Sequence, residues 1–152
     1  MLKELTTVSQ EEWDELQENH LLWLRHEGGS KLVAIHKNLS NVHIPSGAEL
    51  SQAEFRYCEM EGMNLQGVDF SDTFLCVCSF ENADLRETQM QGAVISSSSF
   101  NNADMRGALL SFAAIDTLCC FDKALLNPID ARRVNLTESQ LAEIDFGDWD
   151  TN

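Results

Sequence analysis

The sequence is poor in basic residues, in proline and in long apolar runs. Its 152 residues contain 10 Lys and Arg against 25 Asp and Glu, which gives a formal net charge of -15. Such a charge repels nucleic acid and anionic membranes, so we expect no direct binding to either and favour basic or nucleic-acid-binding proteins as partners. Only two prolines occur and 43% of the residues are apolar, which excludes a disordered composition and suffices for one domain.

Segments that would direct the chain into a membrane or out of the cell are also missing. The N-terminal sequence MLKELTTVSQEEWDE has no apolar stretch and carries acidic residues, unlike a secretory signal. No apolar run approaches the roughly 18 residues that a membrane-spanning helix requires. The five cysteines are an odd number without a CxxC pair. Together these features predict a cytoplasmic chain with reduced thiols.

Motifs of catalysis and metal binding are absent as well. The sequence contains no GxSxG, P-loop, dinucleotide fingerprint or HExxH motif. Its histidines have no ligand spacing relative to carboxylates or cysteines. We therefore expect no enzyme activity, no catalytic residue, no cofactor and no metal, and we look for the function on the surface.

A period of five residues organises the middle of the chain. An apolar residue occupies all sixteen positions of one column, which chance would produce about once in a million trials at this composition. A second column, two residues earlier, is small in thirteen of its sixteen positions, the exceptions being Met63, Leu118 and Lys123. The first column consists of Leu50, Phe55, Met60, Leu65, Phe70, Leu75, Phe80, Leu85, Met90, Ile95, Phe100, Met105, Leu110, Ile115, Cys120 and Leu125.

The stretches ADLRE, from Ala83, and ADMRG, from Ala103, resemble the pentapeptide-repeat pattern A-(D/N)-(L/F)-x-x. The resemblance to this family covers about half of the chain without a gap. It implies an all-β solenoid, a right-handed quadrilateral β-helix with one pentapeptide per side and four per coil. The central residue and the small residue before it then point inward. Stacked coils can pair their backbones at a spacing of roughly 4.8 Å and bury a core that one coil alone cannot.

An N-terminal α-helical cap is predicted for residues 1–29. Ser9 and Glu12 form a capping box, and the helix is expected to end at the glycine pair 28–29. The β-helix is assigned to residues 30–136. Within it, Pro45 marks a slip of one residue, after which we expect an unbroken register over residues 48–127.

A short C-terminal cap is predicted for residues 137–152. It begins with a second capping box, Thr137 and Gln140, and is expected to hold a short helix through Asp145, with Trp149 as a further element of the cap. A homodimer contact through this end is the alternative to a simple cap.

The register also assigns the cysteines. Cys58 and Cys78 fall on the small inward column of adjacent coils, where free cysteine acts as a small hydrophobic residue. Cys120 falls on the central column, whereas Cys76 and Cys119 are expected to be exposed and available for reaction. The serine run 96–99 stays in register, so we interpret it as repeat and not as a hinge.

Positions twenty apart stack on the same side of the β-helix, so the outward residues of each side can be compared. The least charged side is either a partner-binding patch or a surface that the N-terminal segment covers. The next side is acidic, and is either a solvated surface or a contact for a basic partner. The first side carries Glu54, Phe74, Val94 and Ala114, flanked by Tyr57 and Val77, and the second carries Glu59, Glu61, Glu81 and, further on, Asp122.

These surfaces favour a non-catalytic protein-binding scaffold. One form of it is an immunity or antitoxin protein that blocks a basic toxin in the bacterial cytosol. The family resemblance adds two alternatives, a DNA mimic that inhibits or protects DNA gyrase or another topoisomerase, as in the quinolone-resistance group, and a secreted bacterial effector. The predicted partner-binding residues are Phe74, Val94, Tyr57, Val77, Glu59, Glu61 and Glu81.

Overall fold

A computed structural model of the chain describes residues 3–127 and 134–147. Nearly all of its elements are short, because five residues provide only a brief extended piece and a corner. No helix in these two ranges is long and apolar enough to cross a membrane. The elements are β1 (Thr6–Thr7), α1 (Gln10–Leu24), β2 (Val33–Ile35), β3 (Lys37–Asn38), β4 (Glu54–Arg56), β5 (Phe74–Cys76), β6 (Val94–Ser96), β7 (Ala114–Ile115) and α2 (Glu138–Glu143).

Parallel ladders stack one coil on the next. Strands β2, β4, β5, β6 and β7 form one parallel sheet, which we call side A, and within it Glu54 aligns with Phe74 and Phe74 with Val94. Isolated parallel bridges define three further sides. Side B contains residues 38, 59, 79, 99 and 120, side C residues 64, 84, 104, 125 and 145, and side D residues 49, 69, 89 and 109. The chain is therefore a four-sided β-solenoid of about four turns, as the family resemblance implies.

The two predicted inward columns fill the interior of the solenoid. Every residue of both columns is buried from Ala48 to Leu110. The rings of Phe80, Phe100 and Phe121 stack on side B with centroids 5.1 and 5.2 Å apart and nearly parallel planes. Ser98 is also buried, and its hydroxyl accepts a hydrogen bond from the backbone N–H of Cys78. The serine run is thus part of the repeat, as predicted.

The slip at Pro45 is confirmed by the ladders of the first coil. Asn38 pairs with Glu59, twenty-one residues later, whereas Glu49 pairs with Asp69, twenty residues later. One extra residue is therefore inserted between sides B and D. Because of this offset, strand β2 aligns with β4, and the buried residue Ala34 lies next to Phe55. The predicted columns begin at Ala48 and do not include Ala34.

The predicted unbroken register over residues 48–127 is wrong beyond Ile115. Ser99 pairs with Cys120 and Asp104 with Leu125, so the offset between coils increases from twenty to twenty-one residues. The inward columns consequently shift by one position in the last coil.

Burial of Phe121 accounts for this second slip. The predicted register would place Cys120 at the centre of the side, but Phe121 is 1% exposed and extends the phenylalanine stack. The extra residue is accommodated at Asp116, whose carboxylate accepts hydrogen bonds from the backbone N–H of Ser97 (3.1 Å) and of Leu118 (3.0 Å). The slip therefore gains aromatic burial without leaving these two donors unsatisfied.

A residue in the left-handed region turns the chain at every corner. From Gln52 to Phe112, each fifth residue has a φ between 49° and 76°. Glycine and asparagine occupy several of these corners and adopt this conformation at little cost. Tyr57, Val77 and Phe112 do not fit this preference, since a bulky or β-branched residue in the left-handed region is an outlier.

Helix α1 covers the first coil, and its predicted capping box is present. Trp13 and His20 are fully buried on its inner face. The backbone N–H of Leu32 donates to Nδ1 of His20 (3.0 Å), and Nε2 of the same ring lies 2.9 Å from the carbonyl oxygen of Ser51. Burial lowers the pKa of His20, which favours the neutral ring that this pair of contacts requires.

Helix α2 covers the last coil and begins with the predicted capping box. The side-chain amide of Gln140 is buried and donates to the carbonyl oxygens of Asp116 (2.9 Å) and Cys119 (3.1 Å). The helix ends at Glu143, two residues earlier than expected. Trp149 lies outside the described residues, and a homodimer contact at this end stays a prediction.

We predict that Phe100→Ala lowers the free energy of unfolding by about 3–5 kcal/mol, because it opens a cavity between two stacked rings. The matched control is Phe112→Ala, since Phe112 is 93% exposed, and its effect is expected to stay within about 0.5 kcal/mol. Urea denaturation followed by circular dichroism measures both. Equal losses in the two variants would contradict the assignment of Phe100 to the core.

A candidate protein-binding surface

The seven residues that were predicted from the sequence to bind a partner all lie on two adjacent sides of the solenoid and on the corner between them. We call this region the corner surface. It consists of Val33, Phe74 and Val94 on side A, Tyr57 and Val77 at the A–B corner, and Glu59, Glu61 and Glu81 on side B.

The side A part of the corner surface is open, and its apolar residues lie above and below Glu54, which forms ion pairs with Arg56 and Lys31. Val33 and Ile35 are each 45% exposed and Val94 is 43% exposed. Phe74 is half-buried, because the guanidinium carbon of Arg56 lies 5.2 Å from its ring centroid. The sequence did not predict that Val33 and Ile35 lie on this side, because stacking positions twenty apart does not align them with it. They align with β4 through the twenty-one-residue offset of the first coil.

The alternative that the N-terminal segment covers side A is wrong for the described residues. Helix α1 packs on the end of the first coil instead, through Trp13 and His20. Strand β1 pairs with β3 on side B. Exposed Val33 and Val94 therefore remain without a covering segment from the described chain.

The A–B corner combines exposure with backbone strain. Tyr57 and Val77 are 44% and 43% exposed and have φ values of 53° and 54°. A left-handed conformation costs such residues roughly 1–2 kcal/mol. The ring of His36 stacks on that of Tyr57 with centroids 4.6 Å apart. Strained conformations of this kind cluster at functional sites, where they are retained despite their cost.

Basic residues neutralise the acids of side C. Arg86 hydrogen-bonds Asp84 and lies 3.8 Å from Asp104, and Arg106 hydrogen-bonds Asp104 in turn. These hydrogen bonds hold the pKa of both carboxyl groups below the usual range. Side C therefore carries a ladder of alternating acids and bases, which is exposed enough to add little stability.

The acids of side B have no such partners. None of Glu59, Glu61 and Glu81 forms an ion pair with a Lys or Arg in the described ranges. Glu61 and Glu81 occupy the same column of successive coils, roughly 4.8 Å apart by the coil spacing. Like charges placed opposite each other in a sheet are destabilising. This side therefore concentrates negative charge that the described chain leaves uncompensated.

The cysteines divide differently from the prediction. Cys58 and Cys78 are buried as expected, but Cys119 is buried too, because the second slip moves it into the inward column. Burial raises the pKa of Cys119 to about 12. Cys120, expected at the core, is exposed, and Cys76 is half-buried. No group of three or more metal-ligating side chains occurs in the part of the chain that the structure describes.

Comparison with known proteins agrees with this geometry. The family described as pentapeptide repeats matches residues 46–75 and 78–111 in eight copies. The solenoid is of the class built from five-residue sides, and these matched residues are pentapeptide repeats. No curated protein is significantly similar to it in sequence.

Solved structures of the same fold include proteins from plants and cyanobacteria. A pentapeptide-repeat protein of the Arabidopsis thaliana thylakoid lumen is 19% identical, with a TM-score of 0.55 over 74% of this chain and 72% of its own. Rfr23 from the cyanobacterium Cyanothece 51142 is 22% identical, with a TM-score of 0.46 over 58% and 63%. QnrB1, a plasmid-mediated fluoroquinolone resistance protein, is 18% identical, with a TM-score of 0.41 over 64% and 71%. At these identities the likeness concerns the fold alone.

We predict that a thiol reagent modifies Cys120 first in the native protein, because it is the exposed cysteine, and that Cys119 is protected. Mass spectrometry of tryptic peptides after brief labelling with iodoacetamide at pH 8 distinguishes these adjacent thiols by fragmentation. Labelling of Cys119 as fast as Cys120 would contradict the observed register, and labelling in denaturant provides the reference rate for both.

Proposed function

We propose that the protein is a non-catalytic protein-binding scaffold whose corner surface contacts a basic partner protein. The observation that carries the proposal is the A–B corner, where Tyr57 and Val77 are both exposed and strained. The chain retains these residues at positions that glycine or asparagine would fill at lower cost. Stacking on His36 offsets part of the cost at Tyr57, and we attribute the remainder, together with the cost at Val77, to contact with another molecule.

The rest of the corner surface favours binding of the same partner in further ways. Its open apolar residues, Val33 and Val94, lose contact with water when a partner covers them, which favours association. The unpaired carboxylates of side B attract a positively charged partner and raise its rate of association. A rigid solenoid places both groups without loss of conformational freedom, which lowers the cost of binding. An immunity or antitoxin protein that blocks a basic toxin is one form of such a scaffold.

We predict that the double change Phe74→Asp and Val94→Asp abolishes capture of this partner, because it replaces the apolar column with charge. The fold tolerates the change, since Asp69 and Asp84 occupy equivalent outward positions on other sides. The protein is immobilised, incubated with an extract of the organism that produces it, and bound proteins are identified by mass spectrometry.

The matched control is Leu109→Asp, which alters an exposed apolar residue at the same repeat position on side D. A partner captured equally by the wild type, the double variant and the control would contradict a role of the corner surface. Circular dichroism of all three proteins verifies the fold.

Topoisomerase inhibition by DNA mimicry is a second candidate, favoured by the net charge of -15. Duplex DNA carries one charge per roughly 1.7 Å of axis. The repeat holds 12 acids against 4 bases between residues 48 and 125, but side C pairs its acids with Arg86 and Arg106. Acids without an ion pair in the described ranges lie on side B and also on the opposite side D, at Glu49, Asp69 and Asp72, so the uncompensated charge is divided between two sides and does not form one continuous line.

We expect no inhibition of gyrase supercoiling by the protein at micromolar concentration, because the unpaired acids are divided between sides B and D of a short solenoid and do not reproduce the charge of a DNA segment. A plasmid supercoiling assay resolved on agarose measures this. Inhibition that disappears when Glu59, Glu61 and Glu81 are changed to Gln would replace the scaffold proposal with DNA mimicry.

A further inference from the structure

A groove of about 730 Å³ opens beside the A–B corner. Its volume lies within the range of about 300–1,000 Å³ that is typical of ligand sites. The N-terminal segment, which lies outside the repeat, forms part of the groove wall. The repeat pattern alone therefore does not reveal the groove. The residues that matter for its chemistry are Lys3, Leu5, Tyr57, Glu59, Val77 and Glu81.

The groove runs along the axis of the solenoid. His36, Tyr57, Val77 and Ser97 line it from corner positions of four successive coils. Three coil spacings of roughly 4.8 Å give a length of about 14 Å. An extended peptide of about four residues has this length, at roughly 3.3 Å per residue. The shape therefore fits a short extended segment of a protein chain.

The charge of the groove selects for a cation. Glu59 and Glu81 are half-buried, and their hydrogen-bond partners are neutral groups, Asn38 Nδ2 at 3.3 Å and Ser99 Oγ at 2.9 Å. Neutral donors leave the negative charge of both carboxylates uncompensated. A half-buried carboxylate is screened less by solvent than an exposed one, so a cation brought beside it is bound more strongly.

Aromatic and apolar neighbours favour arginine over lysine as this cation. The rings of Tyr57 and His36 both border the groove and stack face to face, so each covers one face of the other and an outer face is left for a further flat group. A guanidinium group stacks on an aromatic face and donates two parallel hydrogen bonds to a carboxylate, which an ammonium group does not. Leu5 and Val77 are both exposed at more than 40% and offer contacts for an apolar residue next to the arginine.

We propose that the groove binds an extended segment of a partner protein through an arginine that contacts Glu59 and Glu81. This inference rests on the proposed function, of which it defines the partner chemistry. Lys3 borders the groove and forms no ion pair in the described ranges. Its charge opposes an incoming arginine, so the groove holds one residue whose removal strengthens binding.

The test uses the full ¹⁵N-labelled protein and the peptide acetyl-Val-Arg-Leu-Arg-amide. Amide chemical shifts locate the site, and fluorescence anisotropy of a labelled peptide gives the affinity. The same peptide with citrulline in place of arginine keeps the shape and removes the charge. We expect saturable shifts around Leu5, Tyr57, Val77 and Ser99, and weak binding of the citrulline peptide.

Substitutions separate the groove from the general negative charge of the protein. Glu59→Gln with Glu81→Gln keeps both hydrogen-bond acceptors and is expected to weaken binding about tenfold, as loss of charge-assisted hydrogen bonds does. The matched control Glu49→Gln, exposed on side D, is expected to change it less than about twofold, in line with a screened distant charge. Lys3→Gln is expected to strengthen binding.

Three results would overturn the proposal. These are shifts centred on another side, equal weakening in the double variant and the Glu49 control, and weaker binding after Lys3→Gln. If the peptide fails to bind while capture of a partner still depends on Phe74, the groove inference is wrong and the scaffold proposal stands. If capture is also independent of Phe74, both are wrong.

Discussion

Stacking of each coil on the next is the interaction on which the whole molecule depends. A side of five residues cannot bury its own apolar residue, so burial requires a neighbouring coil above and below. The ladders fix that neighbour at twenty residues along the chain, or twenty-one at the two slips, and the rings of Phe80, Phe100 and Phe121 then meet at close to 5 Å. The terminal coils have only one such neighbour, which explains why α1 and α2 each cover an end.

The repeat predicted most of the fold, because period, polarity and residue size all agree over the central coils. It failed at the last coil for a physical reason. Counting apolar residues gives Cys120 the same weight as Phe121, although a phenylalanine ring buries far more area. In this part of the chain, Leu118 and Lys123 already departed from the small residues that the second column otherwise contains. Shifting the register by one residue removes both from the interior and returns Cys119 and Ala124, which are small, to that column.

The candidate surface was predictable only in part. Stacking by twenty residues was enough to bring Phe74 next to Val94. It could not indicate that Val77 adopts a positive φ, because conformation at a corner is a property of the folded backbone. Nor could it place Lys3 and Leu5 along side B. These residues precede the repeat, and a periodic pattern contains no information about the path of a segment outside it.

Exposure and strain at one residue do not define a site, as Phe112 illustrates. It is 93% exposed at a φ of 61°, yet the other residues of its corner are Gln52, Asp72 and Gly92, which suit an exposed turn. The A–B corner differs because two successive coils, at Tyr57 and Val77, depart from the preference together and adjoin unpaired carboxylates. Folding constrains the inward columns and the corners but leaves outward residues free. Two bulky residues of successive coils that are both outward and at odds with their corner are therefore best explained by a contact outside the chain, as we propose for Tyr57 and Val77.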